Sequence, residues 1–107
     1  MIVELNKSDS DHPHLSICQQ YMVIGIEAED YRILNDLGEP CLYPPELFNV
    51  IDMKEPDYWI SEVGEDGERY AYPPEFNRPG FFEDLFDRNE EAMRTFWQTI
   101  NRGLTAA

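Results

Sequence analysis

The sequence predicts an α+β fold: a small, partly open antiparallel β-barrel with an added β-hairpin and a C-terminal amphipathic helix. Three observations predict it. Short segments rich in β-branched and aromatic residues alternate with turn-forming residues as far as residue 76. Paired prolines interrupt these segments at Pro44-Pro45 and at Pro73-Pro74. Beyond residue 79 the apolar residues change to a helical spacing.

The length and composition are those of one folded domain, residues 1–107. A chain of 107 residues can bury one hydrophobic core without help from metals or disulfides. Aromatic residues make up 13% of the chain, which argues against disorder despite the high charge. Within this domain we expect a barrel-like meander over 15–52, a second hairpin over 58–76 and a helical part over 79–104.

The first half of the chain is expected to form the barrel. Strands are predicted over Met1–Leu5, Ile17–Ala28, Tyr31–Leu34, Glu39–Tyr43 and Asn49–Asp52. The second of these is expected to be either one long strand or a strand with a bend at Gly25. The segment Pro44–Phe48 is too short for an α-helix and suits one 3₁₀ turn. Because Pro40 lacks an N–H, it should occupy an edge of the sheet or a position that makes no ladder hydrogen bond.

The second half predicts a hairpin and then helices. Strands over Tyr58–Val63 and Glu68–Tyr72 flank the turn Gly64-Glu65-Asp66-Gly67. A short helix is expected over Phe81–Phe86, and a longer one from Glu90 to about Arg102, capped by Asn89 or Asp87 and stopped by Gly103. One apolar stripe should bury this longer helix, formed by Met93, Phe96, Trp97, Ile100 and Leu104.

One sequence pattern occurs twice. Residues 38–47 and 67–76 share Gly-Glu, three variable residues, Tyr-Pro-Pro-Glu and an apolar residue. This pattern indicates a hairpin turn, a return strand that ends at a tyrosine, and a corner whose apolar residue packs beneath the sheet. It is typical of two hairpins with the same turn chemistry, and the two corners could also form one composite binding surface.

The charge excludes several classes of ligand. The chain carries 22 acidic and 8 basic side chains, a net charge of −14. Such a chain repels nucleic acid and anionic membrane surfaces and attracts basic partners. No apolar run approaches the ~20 residues that span a bilayer. We therefore expect a cytoplasmic protein with Cys18 and Cys41 as free thiols.

Residues suited to catalysis or metal binding are present but poorly arranged. The segment Asp9–His14 holds two histidines and two aspartates, without the fourth ligand from a second element that a closed zinc site requires. Carboxylate pairs such as Glu83-Asp84 are expected from composition alone in so acidic a chain. We expect no enzymatic activity, no cofactor and no metal.

An aromatic and acidic surface is the strongest functional feature of the sequence. Aromatic residues are concentrated between residues 58 and 86 and alternate with carboxylates. Aromatic side chains with acids around them suit the binding of a basic protein, which supplies Arg and Lys. The predicted partner-binding residues are Glu62, Glu65, Asp66, Glu68, Tyr70, Tyr72, Glu83, Asp84 and Asp87.

Two resemblances add to this interpretation. The stretch from Tyr21 to Phe48, which ends in the Tyr-Pro corner, resembles small SH3-like barrel modules of bacterial proteins. The size and acidity of the chain are similar to those of bacterial toxin-immunity proteins. The second resemblance implies an inhibitor that binds a basic, nuclease-like toxin, and the first an adaptor or regulatory module that binds a basic peptide or protein. Neither assigns a role to any residue.

The histidine-containing segment makes a testable prediction. Because His12 and His14 are expected to hold no structural metal, a chelator should leave the melting temperature unchanged. A fall of several degrees that zinc reverses would contradict this expectation. Differential scanning calorimetry with and without EDTA is the measurement.

Overall fold

The computed structural model describes residues 1–7 and 10–106, with side chains described up to residue 103. Its elements confirm the predicted α+β class. In chain order they are β1 (Ile2–Leu5), β2 (Gln20–Glu27), β3 (Asp30–Leu34), β4 (Pro40–Tyr43), a 3₁₀ turn (Pro45–Leu47), β5 (Phe48–Asp52), β6 (Ile60–Val63), β7 (Arg69–Tyr72), a second 3₁₀ turn (Pro74–Phe76), α1 (Phe81–Phe86) and α2 (Glu90–Ala106).

The strands of the described residues form one open antiparallel sheet of seven strands. Five of them are neighbours in the order β4, β3, β2, β1, β5. β7 pairs with the end of β2, where Ile26 lies opposite Ala71, and β6 pairs with β7. The predicted hairpin is therefore confirmed, and it joins the main sheet through β2. Pro40 lies on the outermost strand of this order, as its missing N–H predicts.

β2 connects the two halves of the sheet. Its first residues, Gln20–Met22, pair with β1, and Val23–Glu27 pairs with β3, with a shift of register between Val23 and Gly25. This irregularity favours the strand with a bend at Gly25 over the continuous strand. A Cβ on Gly25 would lie 2.1 Å from a ring atom of Tyr72. Glycine is required there because the aromatic ring packs directly against the β2 backbone.

Two hydrophobic clusters lie on opposite faces of β2, which explains its long apolar run. One lies on the face of the sheet away from the helices and consists of Val3, Leu5, Leu15, Tyr21, Val23, Ile26, Ile33, Tyr43, Leu47, Phe48 and Ala71. The other lies between the sheet and the helices and consists of Ile24, Tyr72, Phe76, Phe81, Ala92, Phe96 and Ile100. The helices therefore cover the face of the sheet opposite the first cluster.

The repeated sequence pattern forms the same structure twice. Gly38 and Gly67 both take positive φ at a hairpin turn, where glycine is favoured. β4 and β7 follow, each ends at a buried tyrosine, and each continues into a 3₁₀ turn. The apolar residue that closes each turn is buried, as predicted. The two copies contribute to different clusters, so the repeat supports both layers of the fold.

The buried face of α2 differs from the predicted stripe. Phe96 and Ile100 are buried as predicted, together with Ala92 and Thr99, but Trp97 is 43% exposed and Met93 is 37% exposed. The prediction that these two residues pack the helix is wrong. Met93 and Trp97 each lie about 100° round the helix from the buried residue before them. The face of α2 that contacts α1 and the second 3₁₀ turn is the face that carries those buried residues. Leu104, also predicted in the stripe, lies outside the described side chains.

The two ends of α2 were predicted to be an N-cap at Asn89 or Asp87 and a stop at Gly103. Asn89 is the N-cap, because its Oδ1 accepts the N–H of Ala92 at 2.9 Å. The predicted stop at Gly103 is wrong, since the helix continues to Ala106. A Cβ at Gly103 would lie 2.5 Å from the hydroxyl oxygen of Tyr58. The glycine therefore permits the close approach of this tyrosine.

Two further expectations concern the cysteines and the possibility of a membrane-spanning helix. Cys18 is exposed and Cys41 is half-buried, and both are free thiols. None of the helices in the described ranges is long and apolar enough to cross a bilayer.

The different burial of Phe96 and Trp97 predicts different losses of stability when each is replaced by alanine. Phe96 is 1% exposed and stacks on Phe76 at 5.3 Å between ring centroids, so Phe96→Ala should cost about 3–5 kcal/mol of the free energy of unfolding. Trp97→Ala, at a largely exposed position, should cost about 1 kcal/mol or less. Urea unfolding at pH 7 measures both. Equal losses would show that the exposed tryptophan supports the fold as much as the buried ring does.

Candidate functional site

A groove of about 330 Å³ lies between the second hairpin and the segment that leads into α1. The hairpin, the end of β2, β3 and the start of α1 all contribute to its walls. The lining residues are Glu27, Arg32, Glu62, Tyr70, Tyr72, Phe76, Asn77, Arg78, Gly80, Phe81, Phe82 and Glu83. Carboxylates, aromatic rings and two arginines thus converge on one concave surface.

A buried cation forms the floor of the groove. The side chain of Arg32 is 7% exposed, and its Nε donates to the Tyr72 hydroxyl at 2.7 Å. Its Nη1 donates to the carbonyl of Pro40 at 2.7 Å, and its Nη2 lies 3.2 Å from a carboxylate oxygen of Glu27. The guanidinium carbon also lies 3.8 Å from the ring centroid of Phe82. Such a set of partners compensates the desolvation of a buried charge.

The Tyr72 hydroxyl closes this network. It accepts from Arg32 and donates to the same Glu27 oxygen at 3.0 Å. Burial raises the pKa of Tyr72 well above its usual value, and the nearby Arg32 cation offsets only part of that effect. The tyrosine is therefore held neutral, as a donor to Glu27, throughout the physiological pH range.

The rim of the groove carries two exposed carboxylates and the exposed guanidinium of Arg78, which pairs with Asp84. Glu62 is exposed on β6 and lies directly across from Tyr70 on β7. Glu83 is exposed in the first turn of α1. The pKa of Tyr70 is raised by desolvation first and then by the negative charges of Glu68 and Glu27. A cation entering the groove would meet carboxylates on both sides and an aromatic face between them.

The nine predicted partner-binding residues fall into three groups. Four of them line the groove: Glu62, Tyr70, Tyr72 and Glu83. Two lie exposed at the tip of the hairpin, Glu65 and Asp66. The remaining three lie outside both the groove lining and the hairpin tip: Glu68, Asp84 and Asp87.

These three residues are placed differently from the rest. The carboxylate of Glu68 folds over Gly64 and accepts the N–H of Asp66 at 3.0 Å, so it stabilises the hairpin turn. Asp84 pairs with Arg78 at 3.0 Å. Asp87 is exposed directly after the end of α1. Glu68 and Asp84 are thus engaged within the fold, whereas Asp87 and the predicted carboxylates of the tip and the groove are exposed.

Sequence reasoning missed the two residues on which the groove floor depends. Glu27 and Arg32 belong to β2 and β3, outside the aromatic and acidic segment. One signal was present: Arg32 is a single cation inside the apolar strand Tyr31–Leu34. A charge at such a position requires buried partners. Its tyrosine partner lies 40 residues away in the sequence, so the pair could not be assigned from spacing.

The segment considered for metal binding has another role where it is described. The ring of His12 packs edge-on against Tyr43, with 5.6 Å between centroids. Asp9 lies outside the described residues. Residues 1–7 and 10–106 contain no group of three or more His, Cys, Asp or Glu side chains placed to hold a metal ion.

A larger cavity, of about 540 Å³, lies between the first two strands, the loop before β6 and the last turns of α2. Its walls are mostly apolar and include Met22, Ile24, Trp59 and Ile100. It adjoins helical residues whose side chains are not described. Charged residues also line this cavity, but the smaller groove is the better candidate because it contains the buried Arg32 network and four of the predicted partner-binding residues.

The network on the groove floor makes a prediction about stability and its pH dependence. Tyr72→Phe leaves the Arg32 Nε–H without its acceptor, so it should cost about 1–3 kcal/mol at pH 7. Because the folded protein holds the Tyr72 proton more tightly than the unfolded chain, this contribution is complete below about pH 10 and is lost as the pH rises further. The variant should therefore lose less stability than the wild type between pH 9 and pH 11.

Tyr70→Phe is the matched control, because Tyr70 is half-buried on the same strand. Its cost should stay within about 1 kcal/mol. Urea unfolding across the pH series measures all three proteins. A Tyr72→Phe loss no larger than that of the control would contradict the structural role of the hydroxyl.

Comparison of the chain with protein-family models, with curated proteins and with solved structures gives no match in any of the three. The function of the chain must therefore be inferred from the geometry and charge of its own surfaces.

Proposed function

We propose that the chain is a non-enzymatic binding protein for a basic partner, and specifically an immunity protein that neutralises a basic, nuclease-like toxin. The observation that carries this proposal is the groove beside the second hairpin. Exposed carboxylates on two different elements, Glu62 and Glu83, flank its aromatic surface. A basic side chain is the ligand that this combination fits best.

The net charge of the chain supports the same partner. Each ion pair among the described side chains joins one Arg to one acid, so these pairs leave the net charge of −14 unchanged. Such excess charge destabilises a compact fold by self-repulsion, but it accelerates association with an oppositely charged protein. Nucleases bind phosphate through basic clefts, and an inhibitor must occupy such a cleft before damage begins. A strongly acidic binding surface suits that task.

A finer description of the fold belongs to this proposal. The order β4, β3, β2, β1, β5, the bent β2 and the 3₁₀ turn between β4 and β5 support an SH3-like barrel as the finer description. We propose that residues 15–52, with β1, form such a partly open barrel. The hairpin of β6 and β7 and the helix α2 are additions that build the groove.

The same features favour a second candidate function. An SH3-like barrel without the immunity role would be a cytoplasmic adaptor or regulatory module that binds a basic peptide or protein. Both functions use the same acidic surface, so they differ in the partner. The genetic neighbourhood separates them, because an immunity gene should lie immediately beside the gene of its toxin.

The direct test is to identify the partner and to assay it. The purified chain is used to capture binding proteins from its own host, and the captured protein is then purified and tested as a nuclease. We expect a partner with a pI above about 9 whose nuclease activity is abolished at equimolar chain. A partner without net positive charge would overturn the electrostatic proposal, and a basic partner without toxic activity would favour the adaptor.

Charge reversal on the purified complex gives the accompanying prediction. Glu62→Lys with Glu83→Lys should lower the association rate at low salt by at least about tenfold and flatten its dependence on ionic strength. The fold should lose about 1 kcal/mol or less, because both side chains are exposed. Stopped-flow association across a salt series is the measurement.

Two further variants locate the contact. Glu46→Lys with Asp52→Lys makes the same change in net charge at exposed positions of the barrel part, and it should reduce the rate much less. Glu65→Lys with Asp66→Lys reverses the tip of the hairpin. Should the barrel variant reduce the rate as strongly as the groove variant, the partner would respond to overall charge and not to the groove.

A further inference from the structure

The outer strand of the second hairpin, β6, is open along one edge. All four of its residues are exposed, and Val63 is 72% exposed. Within the described sheet, β6 pairs with β7 and forms the end of that branch. An exposed edge strand presents a row of peptide groups that can pair with another extended chain.

The hydrogen-bond pattern identifies which peptide groups face outward. Gly64 donates its N–H to the carbonyl of Glu68 at 2.7 Å, which makes these two residues a hydrogen-bonded pair. Such pairs alternate along an antiparallel ladder, so Glu62 and Ile60 also bond to β7. The N–H and C=O groups of the intervening residues, Ser61 and Val63, therefore point away from β7. They make no backbone hydrogen bond to any described part of the chain.

The other two ends of the sheet carry devices that block pairing. The outer strand β4 contains Pro40, which has no N–H to offer. The outer strand β5 has an extra residue, Ile51, where its register with β1 shifts, and such a bulge disrupts a pairing edge. β6 contains neither a proline nor a shift of register against β7. Of the three sheet ends in the described structure, it is the one best prepared to accept a strand.

The charges beside β6 specify the occupant. Glu62 lies on the strand itself, and Glu65 and Asp66 are exposed at the adjoining turn. A second copy of this chain would bring the same carboxylates and its own net charge of −14 to the edge, and would be repelled. A basic strand would place Lys or Arg side chains next to Glu62 and apolar side chains next to Val63.

We infer that the free edge of β6 binds an extended, basic segment of the partner protein as an additional antiparallel strand. This inference rests on the proposed function, because it assumes that the partner is basic. It names how the partner is held: main-chain hydrogen bonds to Ser61 and Val63 supply affinity, and the flanking carboxylates supply selectivity.

The probe for this inference is a seven-residue peptide of alternating lysine and valine, with blocked termini. Its binding to the wild-type chain is followed by NMR titration and by amide hydrogen exchange. We expect slower exchange at the amides of Ser61 and Val63, because these N–H groups become hydrogen-bonded. Two control peptides accompany it: one with glutamate in place of lysine, and one with N-methylated valines, which keeps the charge but cannot pair as a strand.

Substitution at the edge gives the matched protein variants. Val63→Pro removes an outward N–H while the ladder to β7 is retained, and it should weaken binding of the lysine–valine peptide by at least about tenfold. Val63→Thr keeps the N–H and the β-branched shape, so it should bind as the wild type does. Hydrogen exchange on the wild type gives the answer even if Val63→Pro does not fold.

The outcomes separate this inference from the proposed function. Equal binding of the N-methylated peptide, with no protection of Ser61 and Val63, would overturn the strand-addition inference and leave the acidic surface as the proposed binding site. Equal binding of the glutamate peptide would overturn the choice of a basic occupant and weaken both. Absence of binding by the lysine–valine peptide would overturn strand addition, while the capture experiment would still test the partner.

Discussion

The contact between Arg32, Tyr72 and Glu27 is the constraint on which the arrangement of the two layers depends. A buried guanidinium must have its donors occupied, and here they are occupied from β2, β7 and the start of β4. The hydroxyl of Tyr72 reaches this position only because Gly25 leaves the β2 backbone bare beneath its ring. Phe82, at the start of α1, then covers the cation. One side-chain network thus fixes the hairpin, the sheet and the first helix relative to one another, and the groove is the space between them.

The local elements could be predicted from the sequence because local chemistry determines them. The turn residues Gly64-Glu65-Asp66-Gly67 favour a hairpin between the strands on either side of them. Each Tyr-Pro-Pro-Glu corner places a buried tyrosine at the end of a strand and continues into a 3₁₀ turn. The buried face of α2 could not be predicted, because apolar side chains at Met93 and Trp97 extend the stripe beyond the arc that α1 covers. Gly103 resembles a helix stop in sequence, and its role depends on Tyr58, which lies in a distant loop. The partners of Arg32 are likewise set by the fold.

Four of the eight cations of this acidic chain form ion pairs within the described structure, and Arg32 is the buried one among them. Arg69 pairs with Glu55 through both of its terminal nitrogens and lowers the pKa of that carboxyl, and it also donates to Ser61 at 3.1 Å. Arg102 pairs with Glu75, and Arg78 with Asp84. The Arg69 and Arg102 pairs join residues 14 and 27 positions apart, so they stabilise the arrangement of the fold, whereas the Arg78 pair is local to the start of α1. The acids that remain exposed define the field that an approaching protein encounters.

The two proposed contacts follow from one geometric property of β6. In a β-strand, the side chains of successive residues point to opposite faces of the sheet. The N–H and C=O groups of successive residues point to opposite edges of the strand. Glu62 therefore directs its peptide group toward β7 and lies across from Tyr70 at the groove, whereas Ser61 and Val63 direct theirs toward the open edge. A strand added at this edge would extend the face that carries Glu62 and Tyr70, so its basic side chains would continue the surface of the groove. Recognition of charge and recognition of backbone would then occur on the same strand, with selectivity from the first and orientation from the second.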